Sequence, residues 1–103
     1  MGVILEIATK NYGDDRLAIK KALSHMESLS GNYNGYILGS PSSKFGWTFF
    51  NLAFKDDLHD GIDKKFSDMI SRYGRGNRLE KFTQFMADYF NSRGCSVKAK
   101  LVS

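Results

Sequence analysis

The densest cluster of basic side chains in this sequence is the stretch RYGRGNR at residues 72–78. Arg72, Arg75 and Arg78 surround two glycines there, directly before the position where a helix is predicted to begin. Guanidinium groups and the free backbone N–H groups of a helix N-terminus both bind phosphate or carboxylate oxygens. The spacing does not match the GxxxxGK[ST] pattern of a P-loop. The stretch therefore predicts an anion-contacting loop, with a solvated turn between two helices as the alternative.

A second group is aromatic and lies in SKFGWTFFNLAF, residues 43–54. A sheet with one wet face needs apolar residues on one side only, yet a strand over this stretch carries rings on both. The rings expected to face the core are Phe50 and Phe54, and those expected on the other side are Phe45, Trp47 and Phe49. Rings flanked by lysines can stack on unpaired bases, and the last predicted strand supplies Lys98 and Lys100. The alternative is that a helix or a second copy of the chain covers Trp47 and Phe49.

Within this stretch, residues 43–50 (SKFGWTFF) distantly resemble the RNP1 segment of RNA-recognition-motif domains. The shared features are Phe45, Gly46, and aromatic residues at positions 47 and 50. The resemblance implies a central strand whose aromatic side chains stack on bases. It covers these eight residues alone, and within them Lys44 stands at a glycine position of the pattern. The first strand, VILEIA, has no aromatic residue. We infer no family membership from it.

A third group is the acidic stretch DDLHDGID at residues 56–63. His59 and Asp63 are four residues apart on a predicted helix, a spacing that two metal ligands can share. No second histidine completes a site, and carboxylates at a helix start are stabilised by the helix dipole alone. We therefore predict no metal and no other cofactor. The residues predicted instead to contact a basic protein surface are Asp56, Asp57 and Asp60.

Nucleophilic catalysis is not predicted. Cys95 is the one cysteine, and it is expected on the core side of the last strand, where a free thiol is commonly a small apolar residue. His25 lies on a different predicted element, and the sequence contains no GxSxG, HExxH or paired-carboxylate motif. The sequence therefore indicates a binding protein without catalytic residues.

The composition fits one small domain over residues 1–103. The chain has 103 residues, of which 42% are hydrophobic and 25% charged, and a formal net charge of +4. These values favour a packed core over disorder, and the mild positive charge permits an anionic partner. A single cysteine fits a reducing compartment, and neither a signal peptide nor a membrane-spanning apolar run is visible. We expect a soluble cytoplasmic protein with no membrane partner.

Hydrophobic periodicity predicts the elements that position these groups. Strands are predicted at 3–8, 36–38, 44–54 and 96–102, and helices at 15–30, 57–73 and 78–93. Asn77 and Glu80 have the spacing of a capping box at the start of the last helix. The order β-α-β-β-α-α-β differs by one helix from the ferredoxin-like pattern. We predict an α+β domain with a mostly antiparallel sheet, the first and long third strands at its centre, and helices mainly on one face.

Two functions are compatible with this arrangement. The first is nucleic-acid binding. Single-stranded RNA or DNA is preferred over a duplex, because no predicted helix has the continuous basic face of a groove-reading helix. The residues assigned to nucleic-acid contact are Trp47, Phe49, Tyr36, Lys98, Lys100, Arg72, Arg75 and Arg78.

The second function is that of a protein-binding adaptor or inhibitor, for example a phage-type blocker of a host nucleic-acid-handling or defence complex. Aromatic residues, methionine and arginine are the residues that anchor protein interfaces. A homodimer through the aromatic strand is a related possibility.

Overall fold

The computed structural model describes residues 2–102, which form five strands and four helices around one core. The strands are β1 (Val3–Thr9), β2 (Tyr36–Leu38), β3 (Ser42–Lys44), β4 (Trp47–Phe54) and β5 (Val97–Leu101). The helices are α1 (Tyr12–Ser30), α2 (Asp56–Lys65), α3 (Ser67–Ser71) and α4 (Arg78–Ser92). The protein is thus a compact single-domain α+β protein, as predicted.

The sheet has the strand order β2-β4-β1-β5, with the short β3 pairing the first half of β4. Each pair of neighbouring strands is antiparallel. The two central strands are the first strand and the long aromatic strand, which confirms that part of the prediction. Their pairing runs from Val3 opposite Phe54 to Thr9 opposite Thr48.

The core lies between one face of this sheet and the helices. Leu5 and Ile7 of β1 are fully buried, as are Leu52 of β4 and apolar residues from every helix. Phe50 and Phe54 also point to this side, as the sequence predicted. Because strand residues alternate in direction, the odd-numbered residues of β4 point to the opposite side.

Two predicted elements are each divided in the structure. The strand predicted at 44–54 is a hairpin, because Phe45 and Gly46 both take positive φ (55° and 81°) and reverse the chain. Positive φ at both central positions is the requirement of a two-residue type I′ turn. The helix predicted at 57–73 ends at Phe66, whose φ and ψ of −112° and 25° leave the helical region. The order therefore contains one more strand and one more helix than predicted.

Packing explains the break in the second helix. The Phe66 ring packs against Phe85 and Tyr89 of α4, with centroids 5.2 Å and 6.1 Å away. Two apolar residues of the predicted helices, Leu29 and Met69, are exposed and do not enter the core. The start of α4 is as predicted, with a complete capping box between Asn77 and Glu80.

The connection from β1 to α1 is fixed by buried polar groups. The Thr9 hydroxyl donates to the buried carboxylate of Asp15 and accepts from the backbone N–H of Asn11 at 2.9 Å. These bonds hold the two residues between β1 and the start of α1 in place. They fix the backbone of Lys10, whose side chain contributes to the surface described next.

Candidate functional site on the open sheet face

One face of the sheet has no helix packed on it within residues 2–102. The alternation of β1, β4 and β5 places on this side the residues that do not enter the core. We call this surface the open face; the residues of it that bear on function are Glu6, Ala8, Trp47, Phe49, Asn51, Lys98 and Lys100, with Lys10 beside Trp47. The last long helix, α4, packs on the opposite side through Phe82, Met86 and Phe90.

Trp47 begins β4 and lies at one end of the open face, half-buried. Two ammonium groups approach its ring: Lys10 Nζ lies 4.8 Å and Lys98 Nζ 5.2 Å from the ring centroid. Lys44 of β3 is the direct cross-strand neighbour of Trp47. The indole is therefore neither enclosed in the core nor isolated; it stands on the surface among positive charges.

Phe49 lies two residues further along the same strand and on the same face. Its neighbours across the sheet are Ser42 on β3 and Ala8 on β1, and Lys98 follows Ala8 on β5. These two nearest neighbours have small side chains and do not cover the Phe49 ring completely, so the ring is half-buried. Lys98 is thus close to both rings: its ammonium group lies over Trp47, and its backbone position is aligned with Ala8 and Phe49 across the sheet.

The hairpin tip beside these rings carries a third aromatic residue. Phe45 is 90% exposed, and its positive φ is a rare conformation for a bulky residue. Lys44 Nζ lies 5.5 Å from its ring centroid. The sequence placed Phe45 on a strand beside Trp47, and the structure places it in the turn instead.

The hairpin also changes the comparison with RNP1. Phe45 and Gly46 form the turn, so they are not strand positions as the pattern requires. Phe50 faces the core, where its ring meets Tyr12 edge-on with centroids 5.4 Å apart. Of the matched aromatic positions, the strand presents Trp47 alone on the open face.

Tyr36 does not lie with the other aromatic residues. It pairs with Phe54, whose side chain is in the core, and Tyr36 itself packs against the core from the edge strand β2. Paired residues on neighbouring antiparallel strands point to the same side. Tyr36 is therefore on the helix side of the sheet, opposite the face that carries Trp47 and Phe49, and the structure does not bring it together with these two rings.

The basic loop joins α3 to α4, and its three arginines differ in their surroundings. Arg72 and Arg75 are exposed, and Met69, Arg72 and Tyr73 line one shallow cleft. The loop is held by the side-chain amide of Gln84, which donates to the carbonyl of Arg75 at 3.1 Å.

Arg78 connects three helices. It donates two hydrogen bonds to Asp63 of α2, from Nη2 at 2.8 Å and from Nε at 3.1 Å. It also donates to the hydroxyls of Ser67 and Ser71 on α3. The hydrogen bond from Arg78 lowers the pKa of Asp63 against the opposing effect of partial burial, and the same bond raises the pKa of Arg78. The geometry thus gives Arg78 a structural contact in addition to the anion contact that the sequence predicted.

Lys100 of β5 lies between the open face and the side of the molecule that carries the basic loop. Lys100 near the end of β5 lines a cleft together with Asn77, Glu80 and Gln84 from the first turns of α4. Lys100 is thus shared between the open face and the side of the molecule that carries the loop.

The acidic residues lie elsewhere. Asp56 and Asp57 are in the first turn of α2, and Asp57 and Asp60 line a groove against the end of α1. Leu29, which is 41% exposed, forms part of the same groove. The Asp60 carboxylate is 3.7 Å from Nδ1 of His59.

Residues with possible reactivity are placed as follows. Cys95 is buried, and burial, with a smaller contribution from Asp15, raises the pKa of its thiol to about 11. Among residues 2–102 there is no cluster of three side chains able to hold a metal ion. Over the same range, no helix has the length and apolar character needed to cross a membrane.

The sequence did not predict that Lys10 contributes an ammonium group to the surroundings of Trp47. It lies outside every predicted strand, and nothing in its neighbours indicates that it lies beside a ring 37 positions away. The comparisons add no further assignment: no protein-family model, curated protein or solved structure matches this chain.

Proposed function

We propose that this protein binds single-stranded nucleic acid on the open face. The observation that carries the proposal is the position of Trp47, half-buried on an uncovered sheet face with two ammonium groups about 5 Å from its ring. Aromatic rings that hold bases, with basic side chains that hold phosphates, are the combination that single-strand binding proteins use.

The spacing of the two rings suits neighbouring bases. Trp47 and Phe49 are two residues apart on one strand, so their Cα atoms are about 6.6–6.8 Å apart at 3.3–3.4 Å per residue. Two successive bases of an extended strand can each take one ring at this separation. We therefore assign one base to each ring.

The lysines over Trp47 do not prevent stacking. A cation–π contact at an exposed site contributes about 0.5–1 kcal/mol, whereas a base stacked on an aromatic side chain contributes about 1–3 kcal/mol. A base that displaces one ammonium group from the indole therefore gains free energy. The displaced lysine remains beside the base, where it can pair with a phosphate.

Lysines near the rings supply the phosphate contacts in this proposal. The set is Lys10, Lys44, Lys98 and Lys100. Arg72 and Arg75 extend it at the edge that Lys100 shares with α4, and Arg78 contributes less because its guanidinium already bonds Asp63.

The strand order and the helices on one face also lead us to infer a ferredoxin-like arrangement with an added hairpin. A free, buried Cys95 is compatible with a cytoplasmic location, which we infer as well.

The test is direct titration of a fluorescent single strand of about 12 nucleotides, within the range of single-strand site sizes. Trp47→Ala is expected to weaken binding by about 1–3 kcal/mol, which is about fivefold to 150-fold. The matched control is Tyr33→Ala, which truncates an exposed aromatic residue outside the open face and is expected to leave affinity unchanged. Because Trp47 is the chain's single tryptophan, its emission should also be quenched as the strand binds.

Salt dependence tests the phosphate contacts separately. With three or four lysine–phosphate contacts, log K is expected to fall against log salt with a slope of about −2 to −3, at about 0.7 per phosphate for a single strand. Lys98→Ala should reduce the slope, whereas Lys20→Ala on the exposed side of α1 should not. Absence of binding, or equal loss from Trp47→Ala and Tyr33→Ala, would refute the proposal.

Protein binding is the second candidate, and one observation favours it. The groove between α1 and α2 places the exposed Leu29 beside the carboxylates of Asp57 and Asp60. An apolar contact rimmed by charge is typical of a protein interface. A homodimer through the open face would instead enclose Trp47, so the molar mass in solution and the accessibility of Trp47 to a neutral quencher distinguish self-association from nucleic-acid binding.

A further inference from the structure

A shallow cleft on the open face lies directly beside Phe49. It is lined by Glu6, Gly39, Ser40, Ser42, Phe49 and Asn51, together with Phe50. Glu6 of β1 and Asn51 of β4 face each other across the sheet, so their side chains emerge next to one another. The cleft therefore combines the half-buried ring of Phe49 with two polar side chains.

Within residues 2–102, the side-chain polar groups of Glu6 and Asn51 have no partner. Across residues 2–102, the Glu6 carboxylate makes no hydrogen bond or ion pair, and neither does the side-chain amide of Asn51. Lys100 is the cross-strand neighbour of Glu6 on its other side, yet its ammonium group is not within ion-pair distance. A half-buried carboxylate is an acceptor with two oxygens, and here both are available to a ligand.

The pair presents an ordered set of hydrogen-bonding groups. The Glu6 carboxylate offers two acceptors side by side, and the neighbouring Asn51 amide offers a donor. On the Watson–Crick edge of guanine, N1–H and N2–H are adjacent donors and O6 is the acceptor beside them. The other bases lack two adjacent donors there: adenine and cytosine each have one amino group next to a ring-nitrogen acceptor, and uracil has one N–H between two carbonyls.

The distances fit a base that stacks on Phe49. Glu6 lies diagonally across from Phe49, because Phe49 pairs with Ala8 and Glu6 is two residues before Ala8. Diagonal neighbours in an antiparallel pair are about 7–8 Å apart. A base lying on the ring, with its edge toward β1, spans most of that distance and reaches the carboxylate by a hydrogen bond.

We propose that Glu6 and Asn51 read the Watson–Crick edge of a guanine stacked on Phe49. This inference rests on the proposed single-strand binding and adds base preference to it. Direct reading of unpaired bases on their edges is how sequence-specific single-strand recognition works. Glu6 and Asn51 are thus specificity-determining residues of the open face.

The experiment uses the 103-residue chain and a short uridine-only strand with one central position varied among guanosine, inosine, adenosine and cytidine. The guanosine strand is expected to bind at least about fivefold more tightly than the adenosine strand, which is the lower end of discrimination by a bidentate pair. Inosine, which lacks the N2 amino group, should fall between the two. The single guanosine avoids the self-association of guanine-rich strands.

Glu6→Gln is the decisive variant, because it keeps the size of the side chain and replaces one acceptor oxygen by a donor. It is expected to bring the guanosine and adenosine strands within about twofold of each other, since a bidentate contact of at least about fivefold is lost. Far-UV circular dichroism should confirm its fold, and Ser28→Ala, an exposed position on α1, serves as the control.

Three results would overturn the inference, and they differ in what they leave standing. If wild-type protein binds all the strands equally, or if Glu6→Gln keeps the full guanosine preference, base reading is wrong while single-strand binding stands. If no strand binds at all, both proposals fall together.

Discussion

Replacing Phe45 by asparagine should stabilise this protein. Phe45 occupies the first central position of the β3–β4 hairpin with φ of 55°, and Gly46 follows with φ of 81°. The left-handed region costs an L-residue other than glycine, asparagine or aspartate about 1–2 kcal/mol. Asparagine–glycine is the preferred pair for such a turn.

The magnitude follows from what Phe45 contacts. Its side chain is 90% exposed, so its removal sacrifices little buried surface. The loss of the contact between Lys44 and the ring costs about 0.5 kcal/mol at an exposed site. The net gain is therefore about 0.5–1.5 kcal/mol. For a domain near this size, Tm should rise by about 4–8 °C for each kcal/mol.

Urea unfolding followed by circular dichroism measures the effect, with two matched variants that separate ring from backbone. Phe45→Ala removes the ring but keeps Cβ, so its stability should stay within about 0.5 kcal/mol of wild type. Gly46→Ala adds a Cβ that meets no atom within 4 Å, and it should lose about 1 kcal/mol through the backbone alone. If Phe45→Asn is no more stable than Phe45→Ala, the backbone strain assigned to this turn does not exist.

Three further predictions follow from the interior. Because Arg78 lowers the pKa of Asp63, ionised Asp63 stabilises the fold above the ordinary carboxyl range; Asp63→Asn should therefore lower the urea midpoint at pH 7, and the difference from wild type should shrink below about pH 4. The buried Cys95, with a thiol pKa of about 11, should react with a thiol reagent at pH 8 about two orders of magnitude more slowly in native than in urea-unfolded protein, and equal rates would contradict its burial. Phe82→Ala should cost about 3–5 kcal/mol in urea unfolding, because the ring is fully buried against Phe54; a loss below 1 kcal/mol would contradict that packing.

The sequence was sufficient for the elements whose signals are local. The 36–38 strand has the bounds predicted for it, and the capping box at Asn77 and Glu80 marks the start of α4. The alternation in β4 correctly divided Phe50 and Phe54 from Trp47 and Phe49. These signals involve residues within a few positions of each other, so backbone geometry alone carries them.

The sequence was insufficient where a residue acts against its type. Phenylalanine is not a turn residue, so the hairpin at Phe45 had no local signal beyond Gly46, and a single strand was predicted. The end of α2 at Phe66 likewise depends on the position of Phe85 in another helix. At Phe66 tertiary packing overrides local preference, whereas at Phe45 the pairing of β3 with β4 holds an exposed side chain in the turn.

By itself, then, the sequence determined the class of fold, the central strands and the presence of more aromatic side chains than one core face requires. Only the tertiary structure decided which groups meet: Lys10 with Trp47, Asp63 with Arg78, and Glu6 with Asn51. The members of these pairs are between 15 and 45 positions apart, and their contacts depend on strand register and helix packing. Short-range periodicity specifies neither the strand register nor the helix packing, because register is set by burial of one whole sheet face against the rest of the chain.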